Sequence, residues 1–301
     1  MYKPKRHEIV YQQINEEKMQ GHSTRVHLFE QIEGDFGDIP VVAFFTSFRY
    51  PVMILDEDAV MLEGILRKTD LTKGLILLLN SPGGSGLAAE RIIKICRCHS
   101  GTKAYSVIVA GKAKSAATMV CLGANKIVMS ETSELGPIDP QVVYRGEEGE
   151  ERFSVYNILK SYKDLFDRAV KTTGKIEPFL QQLSIYDARE IEEMKKELEL
   201  SSDIAVKALK TGIFNKLGSK EIEKKIRLFL VPEKVKNHGR PISHAEAAEA
   251  GLNIELVDSQ TEKWDRIYEL YIRLDRFVSS NNTSKCIETK CHSFVAKYSG
   301  D

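Results

Sequence analysis

One serine stands where a strand pattern ends and a helix pattern begins, and its surroundings could make it a nucleophile. Residues 107–122 run VIVAGKAKSAATMVCL, with β-branched apolar residues first and small residues around Ser115. Ala113 and Ala117, two positions to either side, are the small neighbours that a sharp strand-to-helix turn requires. A hydroxyl at a helix N-terminus also lies at the positive end of the helix dipole. The alternative is an ordinary helix N-cap, where serine is common.

A glycine pair follows a second apolar strand pattern upstream. The five apolar residues from Leu75 to Leu79 predict a buried parallel strand, and the chain continues as NSPGGSG. Glycine adopts positive φ and lets bare backbone amides approach a ligand, so Gly83 and Gly84 could form an oxyanion hole beside a reacting serine. An ordinary strand-to-helix turn is the alternative, and the Gly-x-x-x-x-Gly-Lys pattern of a phosphate loop is absent.

The order of these segments resembles that of a known peptidase family. SPGG after an apolar strand, KSAAT around Ser115 and LGPIDPQ at 135–141 are similar to serine peptidases of the Clp/crotonase superfamily. The greatest similarity is to the signal peptide peptidase branch and to the serine dehydrogenase proteinases. Residues 239–252, GRPISHAEAAEAGL, resemble the closing element of that group, so ordered matches span residues 40–257. No dinucleotide fingerprint is present, so dehydrogenase chemistry is not implied.

The resemblance implies a fold and a set of site residues. The fold is α/β, a Clp/crotonase-like spiral of ββα units with a parallel sheet and added helices. The implied residues are Ser115 as the nucleophile, Gly83 and Gly84 as the oxyanion hole, and Ala116 and Asp139 as substrate-binding positions. For Asp139, in the proline-rich loop 135–141, a purely structural role is an equal alternative. No metal or nucleotide cofactor is implied.

The general base is less well defined by the sequence. No histidine lies between His99 and His238, so the histidine of the Clp arrangement has no counterpart here. The signal peptide peptidase arrangement uses a lysine instead. In the branch that this chain resembles, the lysine follows the serine by some tens of residues, and Lys160 fits that position. Lys207, in SSDIAVKAL, is the second choice because that stretch resembles one of the serine dehydrogenase proteinases. The further candidates are Lys114, which should point away from Ser115, and His238 and His244. A lysine serves as a base only if desolvation lowers its pKa from about 10.4 towards neutrality.

Composition excludes several other classes of protein. The 43 basic and 43 acidic side chains cancel, so nothing predicts nucleic-acid or anionic-membrane binding. The basic N-terminus lacks the apolar core of a secretory signal, and no window approaches the roughly 20 apolar residues that span a bilayer. With five cysteines, an odd number, these features predict a cytoplasmic protein. Cysteine and histidine cluster at residues 96–99 and 286–292, but without the paired spacing of a zinc site.

Hydrophobic periodicity divides the chain into three parts. Residues 1–35 are expected to be a helical segment, 36–258 the peptidase domain, and 259–301 a C-terminal helix followed by a loosely ordered polar tail. Strand and helix patterns alternate from residue 40 to residue 129, as in a parallel sheet. Residues 153–214 are helical in pattern, and such helices projecting from a core commonly contact a second subunit. We therefore expect a homo-oligomer.

Taken together, the sequence predicts a serine peptidase acting on peptides or proteins through a Ser115–Lys160 pair. The main alternative is an idle peptide-binding or scaffold protein of the same fold, in which no base is positioned at Ser115. A third possibility is an acyl-CoA enzyme of the crotonase type, which would share the paired-amide oxyanion hole without needing a serine.

Overall fold

A seven-stranded, mostly parallel sheet forms the centre of the protein. The computed structural model describes residues 10–16, 21–146, 149–231, 239–280 and 282–298. The parallel strands are β1 (Val41–Thr46), β2 (Leu75–Asn80), β3 (Tyr105–Ile108), β5 (Lys126–Met129) and β9 (Ile254–Leu256). Two antiparallel strands, β10 (Thr283–Glu288) and β11 (Ser293–Lys297), complete the order β11-β10-β1-β2-β3-β5-β9. The predicted α/β class with a parallel sheet is confirmed.

Helices cover both faces of this sheet. On one face lie α3 (Asp56–Leu66), α4 (Gly86–Ser100) and α5 (Ala116–Leu122); on the other lie α2 (Val26–Asp35) and α12 (Glu262–Val278). Alternate residues of β2 therefore join different buried clusters, Leu77 with Leu62 of α3 and Ile76 with Leu270 of α12. Burial on both sides is the reason why β2 is an unbroken apolar run.

A short strand pair lies at the carboxyl edge of the sheet. In it, β4 (Lys112–Ala113) runs parallel to β6 (Glu134–Leu135). The remaining small elements are α1 (Val10–Glu16), a 3-10 turn (His22–Thr24), α9 (Ser219–Lys225), α10 (Arg227–Leu230) and α11 (His244–Glu249). Because β4 leads directly into α5, this pair carries the predicted nucleophile.

Residues 141–210, called here the arm, consist of a hairpin and three helices. The hairpin strands are β7 (Gln141–Gly146) and β8 (Gly149–Ser154), and the helices are α6 (Val155–Lys171), α7 (Glu177–Leu183) and α8 (Ala188–Lys210). Only the C-terminal half of α8 joins the main core, through residues such as Ile204 and Leu209. Along α6, Val155 alone is buried. In the part of the chain that the structure describes, no helix is both long and apolar enough to cross a bilayer.

The C-terminal residues differ from the expectation of a loosely ordered tail. Residues 283–297 form β10 and β11, and β10 pairs with β1 at the edge of the sheet. Arg25 and Glu288 form a buried, bidentate ion pair with nitrogen–oxygen distances of 2.9 and 2.6 Å, which joins this hairpin to the start of α2. The polar sequence is misleading because strands near a sheet edge commonly carry polar and charged side chains.

Candidate active site

The backbone of Ser115 turns sharply between β4 and α5. Its φ of 51° and ψ of −121° lie in a region that residues with a Cβ rarely adopt. Hydrogen bonds hold the turn from both sides: the Lys114 amide donates to the Ser81 carbonyl at 3.0 Å, and the Ala117 amide donates to the Lys114 carbonyl at 2.9 Å. Hydrogen bonds on both sides thus hold a strained conformation at the residue that the sequence predicts as the nucleophile.

The Ser115 hydroxyl is half-buried and does not cap α5. Ser115 occupies the N-cap position of α5, but its side chain accepts no amide of that helix, so it is not an ordinary capping serine. Among the described residues, none forms a hydrogen bond with Ser115 Oγ. In particular, no described lysine or histidine side chain does so. The hydroxyl is therefore available to a ligand.

Gly83 packs directly against Ser115. A Cβ placed on Gly83 would lie 2.6 Å from the Lys114 carbonyl oxygen and 2.8 Å from Ser115 Cβ, and the φ of Gly83 is +102°. Gly84, at φ +152°, is equally tight, because a Cβ there would lie 2.4 Å from the backbone of Ile54. Only glycines fit between Ile54 and the serine turn.

The amides of the glycine pair differ in direction. The Gly83 amide donates to Ser81 Oγ at 3.1 Å. Ile54 bonds to the residues flanking Gly84, accepting from the Ser85 amide and donating to the Gly83 carbonyl, in a parallel bridge. Because backbone groups alternate in direction along extended chain, the Gly84 amide points away from Ile54. Ala116, at the first position of α5, has an amide with no partner inside the helix.

Thr118 ties the Leu135–Gln141 loop to the serine turn. Its hydroxyl donates to the Ala113 carbonyl at 2.7 Å and accepts from the Gly136 amide at 3.1 Å. Asp139, further along this loop, is buried. Thr118 is a site residue that the sequence motifs alone did not indicate. Its position three residues after the serine, in the first turn of a short helix, is the signal that could have identified it.

Lys114 is directed away from Ser115, as expected. Its Nζ lies 2.6 Å from Glu134 Oε2 and 3.1 Å from the Leu135 carbonyl oxygen. A Cβ on Gly136 would lie 2.7 Å from Lys114 Cδ, so the glycine leaves room for this side chain. Lys114 therefore acts in β4–β6 packing.

Neither predicted lysine base contacts Ser115 within the described chain. Lys160 is exposed on α6 and lines a groove between α6 and α7, together with Asp164 and Arg168. Lys207 is exposed on α8, with its Nζ 3.6 Å from Glu90 Oε1. Of the histidines, His244 begins α11, and His238 lies outside the described residues. Over the same residues, no group of three or more metal-ligating side chains is placed to hold an ion.

Asn80 connects the end of β2 to the strand that carries the serine turn. Its Oδ1 accepts from the Lys112 amide at 3.0 Å, and its Nδ2 donates to Asp275 Oδ1 of α12 at 3.2 Å. Burial raises the pKa of the Asp275 carboxyl, while the bond from Asn80 and the charge of Lys112 act in the opposite direction. The side-chain amide of Asn80 thus joins β4 to α12 at the end of β2.

The part of the chain that is similar to known proteins includes Ser115 and the glycine pair. Residues 2–151 match the family model described as ClpP-like SDH-type serine proteinase. An uncharacterised protein of Methanocaldococcus jannaschii is 30% identical over 234 residues, which are 77% of this chain and 67% of that protein. A second uncharacterised protein of that organism is 29% identical over 107 residues, 36% of this chain and 33% of its own length. A third, whose name proposes a protease, is 34% identical over 90 residues, 30% of this chain and 26% of its own length.

Proposed function

The chain belongs to the family of ClpP-like SDH-type serine proteinases, and from that premise we propose that it hydrolyses peptide bonds with Ser115 as the nucleophile. The observation that carries this proposal is the strained backbone of Ser115 at φ 51°, together with a hydroxyl that bonds none of the described residues. Backbone strain of this kind clusters at active sites, where the surroundings hold a reactive group in place. The family itself supports a serine peptidase, whereas the roles of single residues are part of the proposal.

We propose that the oxyanion is held by the amides of Gly84 and Ala116. The Gly84 amide points away from Ile54 and takes no part in the bridge between them. The Ala116 amide is at the start of a helix and has no acceptor within that helix. The Gly83 amide already donates to Ser81, so in this proposal Gly83 contributes its missing side chain, which lets the loop approach the serine. Paired amides aimed at a developing negative charge are worth several kcal/mol, about 3 for each donor.

Lys160 is our first choice for the general base and Lys207 the second. In the proposed reaction the neutral amine accepts the Ser115 proton as Oγ attacks the peptide carbonyl carbon. The protonated lysine then gives that proton to the leaving amine, and an acyl-enzyme forms. A water molecule, activated by the same lysine, releases the carboxylate product. Asp139 and Ala116 would line the path of the peptide.

We propose that the site is completed in a homo-oligomer through the arm. Large apolar side chains of the arm are exposed, Val170 by 70% and Ile185 by 81%. Such a surface is unusual for a chain that acts alone. Because Lys160 is on the arm and Ser115 has no described lysine partner, the base could come from a neighbouring copy. The predicted cytoplasmic location stays a prediction.

One observation favours the scaffold alternative. A serine without a base is a weak nucleophile, and no described lysine or histidine contacts Ser115 in the single chain. If the assembled protein also lacks such a contact, the fold would bind peptides without cleaving them.

Hydrolysis of a fluorogenic peptide library and of unfolded casein tests the proposal. We expect Ser115→Ala to lose at least about 10³-fold in kcat/KM, because the nucleophile is removed. Lys160→Met should lose a similar amount, and mixing the two inactive variants under subunit exchange should restore activity. Full loss in Lys207→Met, with Lys160→Met unaffected, would transfer the base to Lys207. Undiminished hydrolysis by Ser115→Ala would contradict the proposal.

A further inference from the structure

A buried ion pair joins the C-terminal hairpin to α3, the helix whose N-terminus lies beside the glycine loop. Lys285 Nζ of β10 lies 2.6 Å from Asp58 Oδ2 of α3. The lysine side chain is 12% exposed and the aspartate side chain 3%. Desolvation of two charges offsets much of their attraction, so such a pair is weak evidence for stability alone. Its geometry, in contrast, fixes where two elements meet.

The same carboxylate also fixes the start of α3. Asp58 Oδ2 accepts the Leu55 amide at 2.7 Å, and the Asp58 amide donates to the Leu55 carbonyl at 3.1 Å. The two bonds form a reciprocal cap at the helix N-terminus. One oxygen atom thus receives both the Lys285 ammonium and the Leu55 amide, so a displacement of Lys285 is transmitted to Leu55.

Ile54, the next residue towards the N-terminus, holds the glycine pair. It donates to the Gly83 carbonyl at 2.8 Å and accepts from the Ser85 amide at 2.9 Å. Its backbone is so close to Gly84 that no Cβ would fit between them. The position of the Gly84 amide, on the side away from Ile54, therefore follows the position of Ile54.

We propose that Lys285 and Asp58 are positioning residues, which hold Ile54 so that the Gly84 amide stays aimed at the oxyanion. This inference rests on the proposed function of Ser115 and Gly84. Neither Lys285 nor Asp58 touches the reacting atoms. The C-terminal hairpin lies beyond residues 2–151, the part that matches the family model, so the active site depends on a segment outside the matched region.

Replacing Lys285 with methionine tests the inference, with a matched control on the same hairpin. Lys290 pairs with the buried Glu33 of α2 at 2.7 Å, and Glu33 in turn accepts the Val41 amide at 3.1 Å. Lys290→Met therefore removes an ion pair of similar length, with a lysine side chain that is 44% exposed, and this pair contacts no part of the serine site. The measurements are the rate of labelling by a fluorophosphonate probe, kcat and KM for a peptide, and hydrogen exchange of the Ser85 amide.

We expect Lys285→Met to slow labelling about 10- to 100-fold, because small misplacements of catalytic groups have effects of that size. The loss should fall on kcat with KM nearly unchanged, and exchange at Ser85 should become faster. Lys285→Arg should restore most of the rate, since it keeps the charge. Lys290→Met should match the wild type in labelling and in Ser85 exchange.

Two further outcomes keep the inference testable. If Lys285→Met does not fold, the double variant Asp58→Asn with Lys285→Met replaces it. This variant leaves no unpaired charge and keeps a side-chain oxygen that can accept the Leu55 amide. A wild-type labelling rate in the double variant would overturn the inference. Equal effects of Lys285→Met and Lys290→Met would also overturn it. If the wild type does not label, the proposed function fails, and Ser85 exchange alone decides: unchanged exchange in Lys285→Met overturns the positioning role, and faster exchange supports it.

Discussion

Ser115 occupies a backbone conformation that costs about 1–3 kcal/mol in a residue with a Cβ. A helix-capping serine has no need of this conformation, as Ser154 illustrates: its φ is −64° and its side chain accepts the Asn157 amide. At Ser115 the hydroxyl accepts no amide of α5, and the Ala117 amide donates to the Lys114 carbonyl instead, so the Ala116 amide keeps its capacity to bind a ligand. Residue type alone does not distinguish these two serines. Their φ angles do.

Gly83→Ala should separate backbone strain from crowding of the nucleophile. The new Cβ would meet the Lys114 carbonyl oxygen and Ser115 Cβ at 2.6 and 2.8 Å. We expect a loss of about 2 kcal/mol or more in the free energy of unfolding, with much slower fluorophosphonate labelling, because the alanine has both strained φ and overpacking.

Gly37→Ala is the matched control for that substitution. Gly37 also has a positive φ, +74°, but a Cβ there would meet nothing within 4 Å. It should lose only about 1–2 kcal/mol of unfolding free energy and keep the wild-type labelling rate. Wild-type labelling by Gly83→Ala would contradict the close approach between the glycine loop and Ser115.

At the scale of elements, the site depends on where strands end. β2 leads into the glycine pair and β4 leads into Ser115, and the Ser81–Ala113 bridge sets their relative register. Asn80 adds α12 to this edge through Asp275. An apolar core holds the strands, while a few polar side chains fix their ends.

Asp275→Asn should reveal the burial of that carboxyl through pH. Burial raises the pKa of Asp275 above its unfolded value, so the folded state favours the protonated carboxyl. Stability from this source is present below the unfolded pKa of about 3.9 and is lost as the pH rises through the folded pKa. The free energy of unfolding of the wild type should therefore fall relative to Asp275→Asn as the pH rises. Urea unfolding at a series of pH values measures this difference, and a constant or opposite trend would contradict the burial.

Elements buried on both faces could be predicted from the sequence, and edge elements could not. The apolar run from Leu75 to Leu79 predicted the bounds of β2 within one residue, because β2 packs against an apolar core on both faces. β10 and β11 mix lysine, serine and threonine with apolar residues, so they read as a polar tail. The β7–β8 hairpin is not evident from the sequence for the same reason, since its described side chains at 141–144 and 151–153 are half-buried or exposed.

Across the whole molecule, the sequence predicted the serine and the glycine loop more completely than the base. Adjacent motifs in a parallel sheet must meet at its carboxyl edge, so Gly83 and Ser115 could be brought together from their order alone. The direction of each amide could not, because it depends on hydrogen bonds to Ser81 and Ile54. The proposed base is the least determined part: Lys160 is exposed on the arm, and the sequence of one chain does not show which side chains a second copy would place against Ser115 in the proposed oligomer.

Mapping of a fluorophosphonate adduct by mass spectrometry tests the central claim, that Ser115 is a reactive nucleophile. We expect a single adduct on Ser115 of the folded wild type, absent from Ser115→Ala and retained in Ser154→Ala, which removes an ordinary capping serine. An adduct that persists in Ser115→Ala, or a folded and assembled wild type that forms none, would contradict the account.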